Sequence, residues 1–175
     1  DAFTDRLFSG NPAAVIFSQL NDEELMQNIA AENNLSETAF IREENNEYHI
    51  RWFAPLCEID LCGHATLASA FIYFKYIKPE SSQFKVQSLK NGVLKVSKKD
   101  DLLILDFPKD SLNKYGDDKF IEEIINTKVI ELYKGRDDVL AILESEKDIK
   151  NLNINIELLN NLTARGLIVS SSGDN

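Results

Sequence analysis

Cysteine is nearly absent from the 175 residues, occurring only as Cys57 and Cys62, too little for the disulfide framework of a small secreted fold. Proline (4) and glycine (7) are also scarce, which excludes collagenous and low-complexity chains. Positive charge is in deficit: 19 Lys plus Arg face 29 Asp plus Glu, a formal charge of -10. Such a surface repels a phosphate backbone and anionic lipid, so no nucleic acid is expected as partner. Long apolar runs are missing too. The longest, residues 65–74, contains Thr66 and Ser69 and has about half the roughly 20 residues that cross a bilayer. No membrane span is expected, and without a basic and apolar leader the cytoplasm is the default compartment. The 43% of hydrophobic and 27% of charged residues describe a chain able to bury a core.

Apolar spacing gives the elements. Asn21 followed by Glu24 reads as an N-cap with a capping-box partner, Leu25, Met26, Ile29 and Ala30 form a helical stripe, and Asn33-Asn34 closes it. Residues 35–41 alternate, with Leu35, Glu37, Ala39 and Ile41 on one face and Ser36, Thr38 and Phe40 on the other. Residues 48–53 read as a further strand, stopped by Pro55. Residues 63–75 lack a polar stripe, which predicts a helix enclosed by protein on all sides. Strands at 84–88, 93–97 and 102–107 follow, separated by Asn91-Gly92 and Lys99-Asp100-Asp101 turns. Strands around a buried helix predict an α+β fold with a sheet wrapped about that helix.

A strand over 13–17, a helix near 22–32 and a strand over 38–41 recur in order as a strand over 139–143, a helix near 148–159 and a strand over 166–170. Two similar halves are expected, divided after Asp106-Phe107-Pro108 into residues 1–108 and 109–175, the second incomplete in this chain. Placing Ala39 on Leu167 puts the counterpart of Cys62 beyond residue 175.

Chemistry concentrates at Glu58-Ile59-Asp60-Leu61-Cys62-Gly63-His64-Ala65-Thr66. A helix starting here presents unpaired amides to an anion such as a substrate carboxylate, and Gly63 allows close approach. The same positive end favours a thiolate at Cys62, while His64 can donate a hydrogen bond or exchange a proton. Cys62 also reads as a small buried hydrophobe, and His64 as a capping or packing residue. Cys57, Cys62 and His64 match no common zinc spacing, so no metal is expected. A Cys57–Cys62 disulfide is not expected in a reducing compartment. Glu37, a carboxylate on an apolar strand face, suits general acid–base work, although a sheet-end position or a basic partner would also account for it. Asn11, in the turn Phe8-Ser9-Gly10-Asn11-Pro12, is a candidate for holding a ligand.

Asp1-Ala2-Phe3-Thr4-Asp5, Phe8-Ser9-Gly10-Asn11-Pro12-Ala13-Ala14-Val15, Leu35-Ser36-Glu37-Thr38-Ala39-Phe40, Arg51-Trp52-Phe53, Asp60-Leu61-Cys62-Gly63-His64-Ala65-Thr66-Leu67-Ala68-Ser69-Ala70 and Asp106-Phe107-Pro108 occur in this order. Together they resemble the PhzF-like family of phenazine biosynthesis, which shares the diaminopimelate epimerase fold. The resemblance is dense over 1–108 and thin beyond. It implies two similar domains, each a sheet curled around a central helix, with an active site in the cleft between them. It also implies that Glu37 moves a proton in an isomerisation and that Gly63 and His64 contact substrate. The family's second-half site motif is absent from these 175 residues.

The expected function is a cofactor-independent isomerase that moves a proton on a small carboxylate-bearing metabolite, with Glu37 as base and Gly63, His64 and Asn11 binding substrate. The alternatives are a two-base epimerase or racemase using Cys62, and a non-catalytic binding protein that keeps the fold. An acidic surface with apolar sheet edges permits a homodimer.

Overall fold

The computed structural model describes residues 1–6 and 8–173. They form two compact units, Asp1–Pro108 and Lys109–Asn175. The first unit opens with a loop tied back on itself: Ala2 and Asn11 exchange backbone hydrogen bonds of 2.9 and 3.0 Å. Gly10 makes that approach possible, since a Cβ there would collide with the Ala2 carbonyl and the Thr4 side chain.

Strand β1 (Ala13–Phe17), helix α1 (Glu23–Asn33) and strand β2 (Glu37–Glu44) form a crossover in which β1 and β2 run parallel, Ala13 opposite Glu37. The helix cap is Asp22, not the expected Asn21: its carboxylate accepts from the Leu25 amide at 3.1 Å. Both types cap well, but the carboxylate also answers the positive end of the helix. Asn34, left-handed at φ 49°, ends the helix as the sequence suggested.

Strand β3 (Glu47–Phe53) pairs antiparallel with β2, and the short β4 (Glu58–Ile59) pairs with β3. Helix α2 (Gly63–Ile72) follows, continued by a π-helical turn over Tyr73–Ile77, then β5 (Gln83–Ser88), β6 (Gly92–Lys99) and β7 (Leu102–Asp106). The sheet order is β1-β2-β3-β5-β6-β7. Helix α2 packs against β1 and β2 at one end of this order and against β7 at the other. One helix can touch both edges only if the sheet curls around it.

The concave face holds the main core. Ala39, Ile41, Ile50 and Trp52 meet Ala65 and Ala70 of α2, with Phe84, Val86, Leu94 and Val96 closing the far side. Each fully buried large side chain contributes roughly 1.5–3 kcal/mol from leaving water. On the convex face Phe40 and Phe53, edge to face at 5.6 Å, pack against Met26 and Ala30 of α1. The alternation of β2 therefore sorts its residues between two helices. Helix α2 is less enclosed than its sequence predicts, because Phe71 remains 52% exposed. Its buried hydroxyls are satisfied within the helix, Thr66 donating to the Cys62 carbonyl and Ser69 to the Ala65 carbonyl.

The second unit is built on a four-stranded sheet of order β11-β10-β9-β8. Its elements are β8 (Asn113–Lys114), α3 (Asp118–Ile125), β9 (Glu131–Lys134), β10 (Asp138–Ile142), α4 (Glu146–Lys150), α5 (Ile156–Leu159) and β11 (Gly166–Ser170). Ile121, Ile124 and Ile125 of α3 pack with Leu132, Val139, Ala141 and Leu143. β10 and β11 pair in parallel, Val139 opposite Leu167, as β1 and β2 do in the first unit. The single helix expected near 148–159 is two short ones. Asn155 interrupts it: its amide donates to the Ile124 carbonyl at 2.7 Å and its side chain caps α5 by accepting from the Leu158 amide.

Candidate active site

The parallel pairing of β1 and β2 places the starts of both strands at one end of the sheet, where the start of α2 also arrives. Glu37 is the first residue of β2 and lies on the face shared with Ala39 and Ile41. Cys62 is the N-cap of α2, and Gly63 and His64 are its first residues. The His64 side chain is 10% exposed and that of Glu37 19%, and His64 Nε2 lies 3.1 Å from Glu37 Oε2. That oxygen is buried yet has no well-aligned hydrogen bond among the described residues. On the other side of the ring, Cys62 Sγ lies 3.4 Å from His64 Nδ1.

At Cys62 the helix start and burial act in opposite directions. Burial pushes the Cys62 thiol up to about 12, and the neighbouring Glu37 carboxylate pushes in the same direction. The amides of Ala65 and His64 pull the other way and are outweighed. Near neutral pH the sulfur therefore carries its proton. The protonated sulfur neighbours both His64 Nδ1 and the Glu37 carboxylate and has a single proton to donate.

Asn11 joins the group through Ser36, whose hydroxyl donates to Asn11 Oδ1 at 3.4 Å and lies 3.5 Å from His64 Nε2. The structure thus brings Asn11, Glu37, Cys62 and His64 into one neighbourhood, with the Gly63 backbone at its edge. Ser36 was missed as a separate site residue. The alternation of β2 assigns it to the face opposite Glu37, but it precedes the strand and escapes that rule. Its adjacency to Glu37 was the available cue. Gly63 is not required by internal packing, since a Cβ would make only ordinary contacts of 3.5 and 3.8 Å with Phe107 and Leu105. Its lack of a side chain leaves the backbone accessible.

Cys57 stands apart, exposed, and both cysteines are free thiols. Arg51, a cation close to this region in sequence, is already engaged, donating to Glu58 at 2.6 and 2.7 Å and to Glu23 at 2.7 Å. It ties β3 to β4 and α1. Among the described residues no helix is long and apolar enough to cross a membrane.

A sheet curled around a buried helix that starts at Gly-His is the diaminopimelate-epimerase-like α+β fold. It is shared with a "Predicted Epimerase" from Pseudomonas aeruginosa (TM-score 0.75, 15% identity, covering 97% of this chain and 67% of that one). The family model for phenazine biosynthesis-like proteins, PhzC-PhzF, matches residues 1–174, and the chain belongs to that family. A PhzF-family crystal structure from Enterococcus faecalis superposes with a TM-score of 0.90 at 42% identity, over 99% of this chain and 67% of that one. An uncharacterized isomerase of Halalkalibacterium halodurans is 42% identical over 98% of this chain. Another, from Pseudomonas aeruginosa, is 39% identical over 99%. The chain spans 65% and 66% of the lengths of these two relatives.

Proposed function

We propose that this chain carries the base and the anion site of a cofactor-independent isomerase that moves a proton between two carbons of a small carboxylate. The observation that carries this reading is the buried, weakly partnered Glu37 oxygen 3.1 Å from His64 at the start of α2. A carboxylate without a cationic Lys or Arg partner is free to accept a proton. The first amides of α2 have no partner within the helix; those of His64 and Ala65 serve the Cys62 sulfur, and that of Gly63 is the one offered to a substrate carboxylate. Asn11 and Ser36 offer an amide and a hydroxyl beside it.

In this reading Glu37 removes a proton from a carbon activated by an adjacent double bond, and the negative charge spreads toward the carboxylate held at Gly63 and His64. His64 Nε2–H donates to Glu37 or to the developing charge. Glu37 then returns the proton to the far end of the allylic system, so no redox or group-transfer step is involved. Placed proton transfer contributes roughly 10²- to 10⁴-fold, and electrostatic stabilisation of the developing charge supplies more. The relatives named as isomerases support the reaction class.

The alternative in which Cys62 is one of two bases is disfavoured by a thiol held at about 12. The test uses a panel of β,γ-unsaturated and α-amino carboxylic acids in heavy water, read by proton NMR. Deuterium enters the carbon of an accepted acid in the unmodified protein. Glu37→Gln lowers exchange by at least about 10²-fold without a change in melting temperature. Exchange that persists in Glu37→Gln, or is lost only in Cys62→Ser, overturns the assignment.

A further inference from the structure

Of Cys57, Cys62 and His64, whose spacing matches no common zinc motif, the fold assembles Cys62 and His64 and supplies Glu37 in place of the exposed Cys57. It brings together one carboxylate oxygen of Glu37, the thiol of Cys62 and one ring nitrogen of His64, all within 4.8 Å of one another. We propose that these side chains form a capture site for a thiophilic divalent cation, of the zinc type, with its remaining position open to water or to a carboxylate ligand.

Three observations carry this. The first is the donor set. Thiolate, imidazole and carboxylate are the ligand types of zinc, and three protein ligands with one open position is its usual arrangement where a small molecule must also bind. The second is spacing. Zinc bonds of about 2.0–2.3 Å in a tetrahedron place donor atoms about 3.4–3.6 Å apart. Cys62 Sγ and His64 Nδ1 are already 3.4 Å apart, while Glu37 faces the other ring nitrogen; with all donors within 4.8 Å, capture needs a turn of the Glu37 side chain or the imidazole and a closure of at most about 1.4 Å. The third is unmet demand: a buried Glu37 oxygen, 3.1 Å from the nine-tenths-buried His64 side chain, has no well-aligned hydrogen bond among the described residues.

Charge favours the same outcome. A dication among one carboxylate and one thiolate leaves a neutral centre, and the overall charge of -10 draws cations toward the chain. As sulfur binds the metal, its S–H proton leaves to solvent, so the charges balance with no co-reactant. If the isomerase reading holds, bound cation occupies the groups that move the proton and inhibits turnover. Binding itself does not rest on that reading.

The experiment titrates cobalt(II), a spectroscopic substitute for zinc, into the reduced, metal-free 175-residue chain, followed by competition with zinc. The expected result is one equivalent giving a sulfur-to-cobalt charge-transfer band with tetrahedral d–d bands, displaced by zinc. Cys62→Ser abolishes the charge-transfer band. Glu37→Gln keeps it but weakens affinity at least about 10-fold, the lower end of what even outer partners of a metal ligand are worth. Cys57→Ser leaves band and affinity unchanged. A chain that gives no charge-transfer band overturns the proposal, as does a band that survives Cys62→Ser or vanishes in Cys57→Ser. If Cys62→Ser fails to fold, His64→Gln serves in its place: retained affinity there is equally fatal. Each readout is independent of turnover, so the cobalt spectrum stands or falls apart from the isomerase reading, which the Glu37→Gln exchange test decides.

Discussion

Raising the pH against the two free thiols distinguishes a buried, neutral Cys62 from a catalytic one. Cys62 is 5% exposed, and burial together with the Glu37 carboxylate lifts the thiol from 9.0 to about 12. At pH 8 such a thiol is about one part in 10⁴ thiolate, whereas an ordinary thiol near 8.5 is about a quarter ionised, a difference of roughly 2,000-fold in the reactive species. Steric cover slows alkylation at any pH, so the informative quantity is the pH profile. Iodoacetamide labelling at Cys62, followed by peptide mass spectrometry from pH 7 to 10, is expected to accelerate about tenfold per pH unit without a plateau. Stability reports the same shift. Between pH 9 and 12 the unfolded chain has released a proton that the folded chain still holds. Unfolding free energy therefore falls by about 1.4 kcal/mol per pH unit in that window and is unaffected by this group below it. The slope is read as the difference between the unmodified chain and Cys62→Ser in urea titrations. A labelling plateau below pH 9 refutes the reasoning and returns Cys62 to the candidates for a base.

Gly63→Ala is expected to leave the melting temperature unchanged or to stabilise by about 0.4–1 kcal/mol, because its Cβ meets only ordinary contacts. It should weaken carboxylate binding, measured by calorimetry. Gly10→Ala is the opposite case: the collision with Ala2 and Thr4 should cost about 1–3 kcal/mol in chemical unfolding and displace Asn11. Arg51→Met leaves Glu58, whose side chain is 28% exposed, without its bidentate partner. A loss of about 1–3 kcal/mol is expected, between the exposed and buried ranges, and unchanged stability in thermal unfolding would show the bridge to be ornamental.

Much of the first unit was legible because its elements carry one-dimensional patterns. β1, and β11 in the second unit, match their expected bounds, and α1, β2, β3, β5, β6 and β7 shift by only a few residues, whereas the two-residue β4 was not expected. The exposed Phe71 was not legible, since a sequence stripe cannot tell which side of a helix the curled sheet leaves open. The break between α4 and α5 was hidden because Asn155 reads as a tolerated polar residue until Ile124 offers its carbonyl. The site followed the same division. Glu37, Gly63, His64, Cys62 and Asn11 were visible from residue type and position, and the fold brings them together. The charge state of Cys62 was not, because burial and a helix start act in opposite directions and only three-dimensional cover decides between them. Ser36 was lost to a rule of alternation that begins one residue later.

The parallel crossover between β1 and β2 also sets when the cluster can exist. The antiparallel pairs β2–β3 and β5–β6 join residues near in sequence and close at little entropic cost. Bringing Asn11 beside Ser36, and both beside His64, requires chain closure over a helix and then over three more strand and loop segments. A chain with its hairpins formed but β1 undocked holds Asn11 away from Ser36 and leaves the cluster incomplete. The proposed proton transfer and cation capture both depend on that closure.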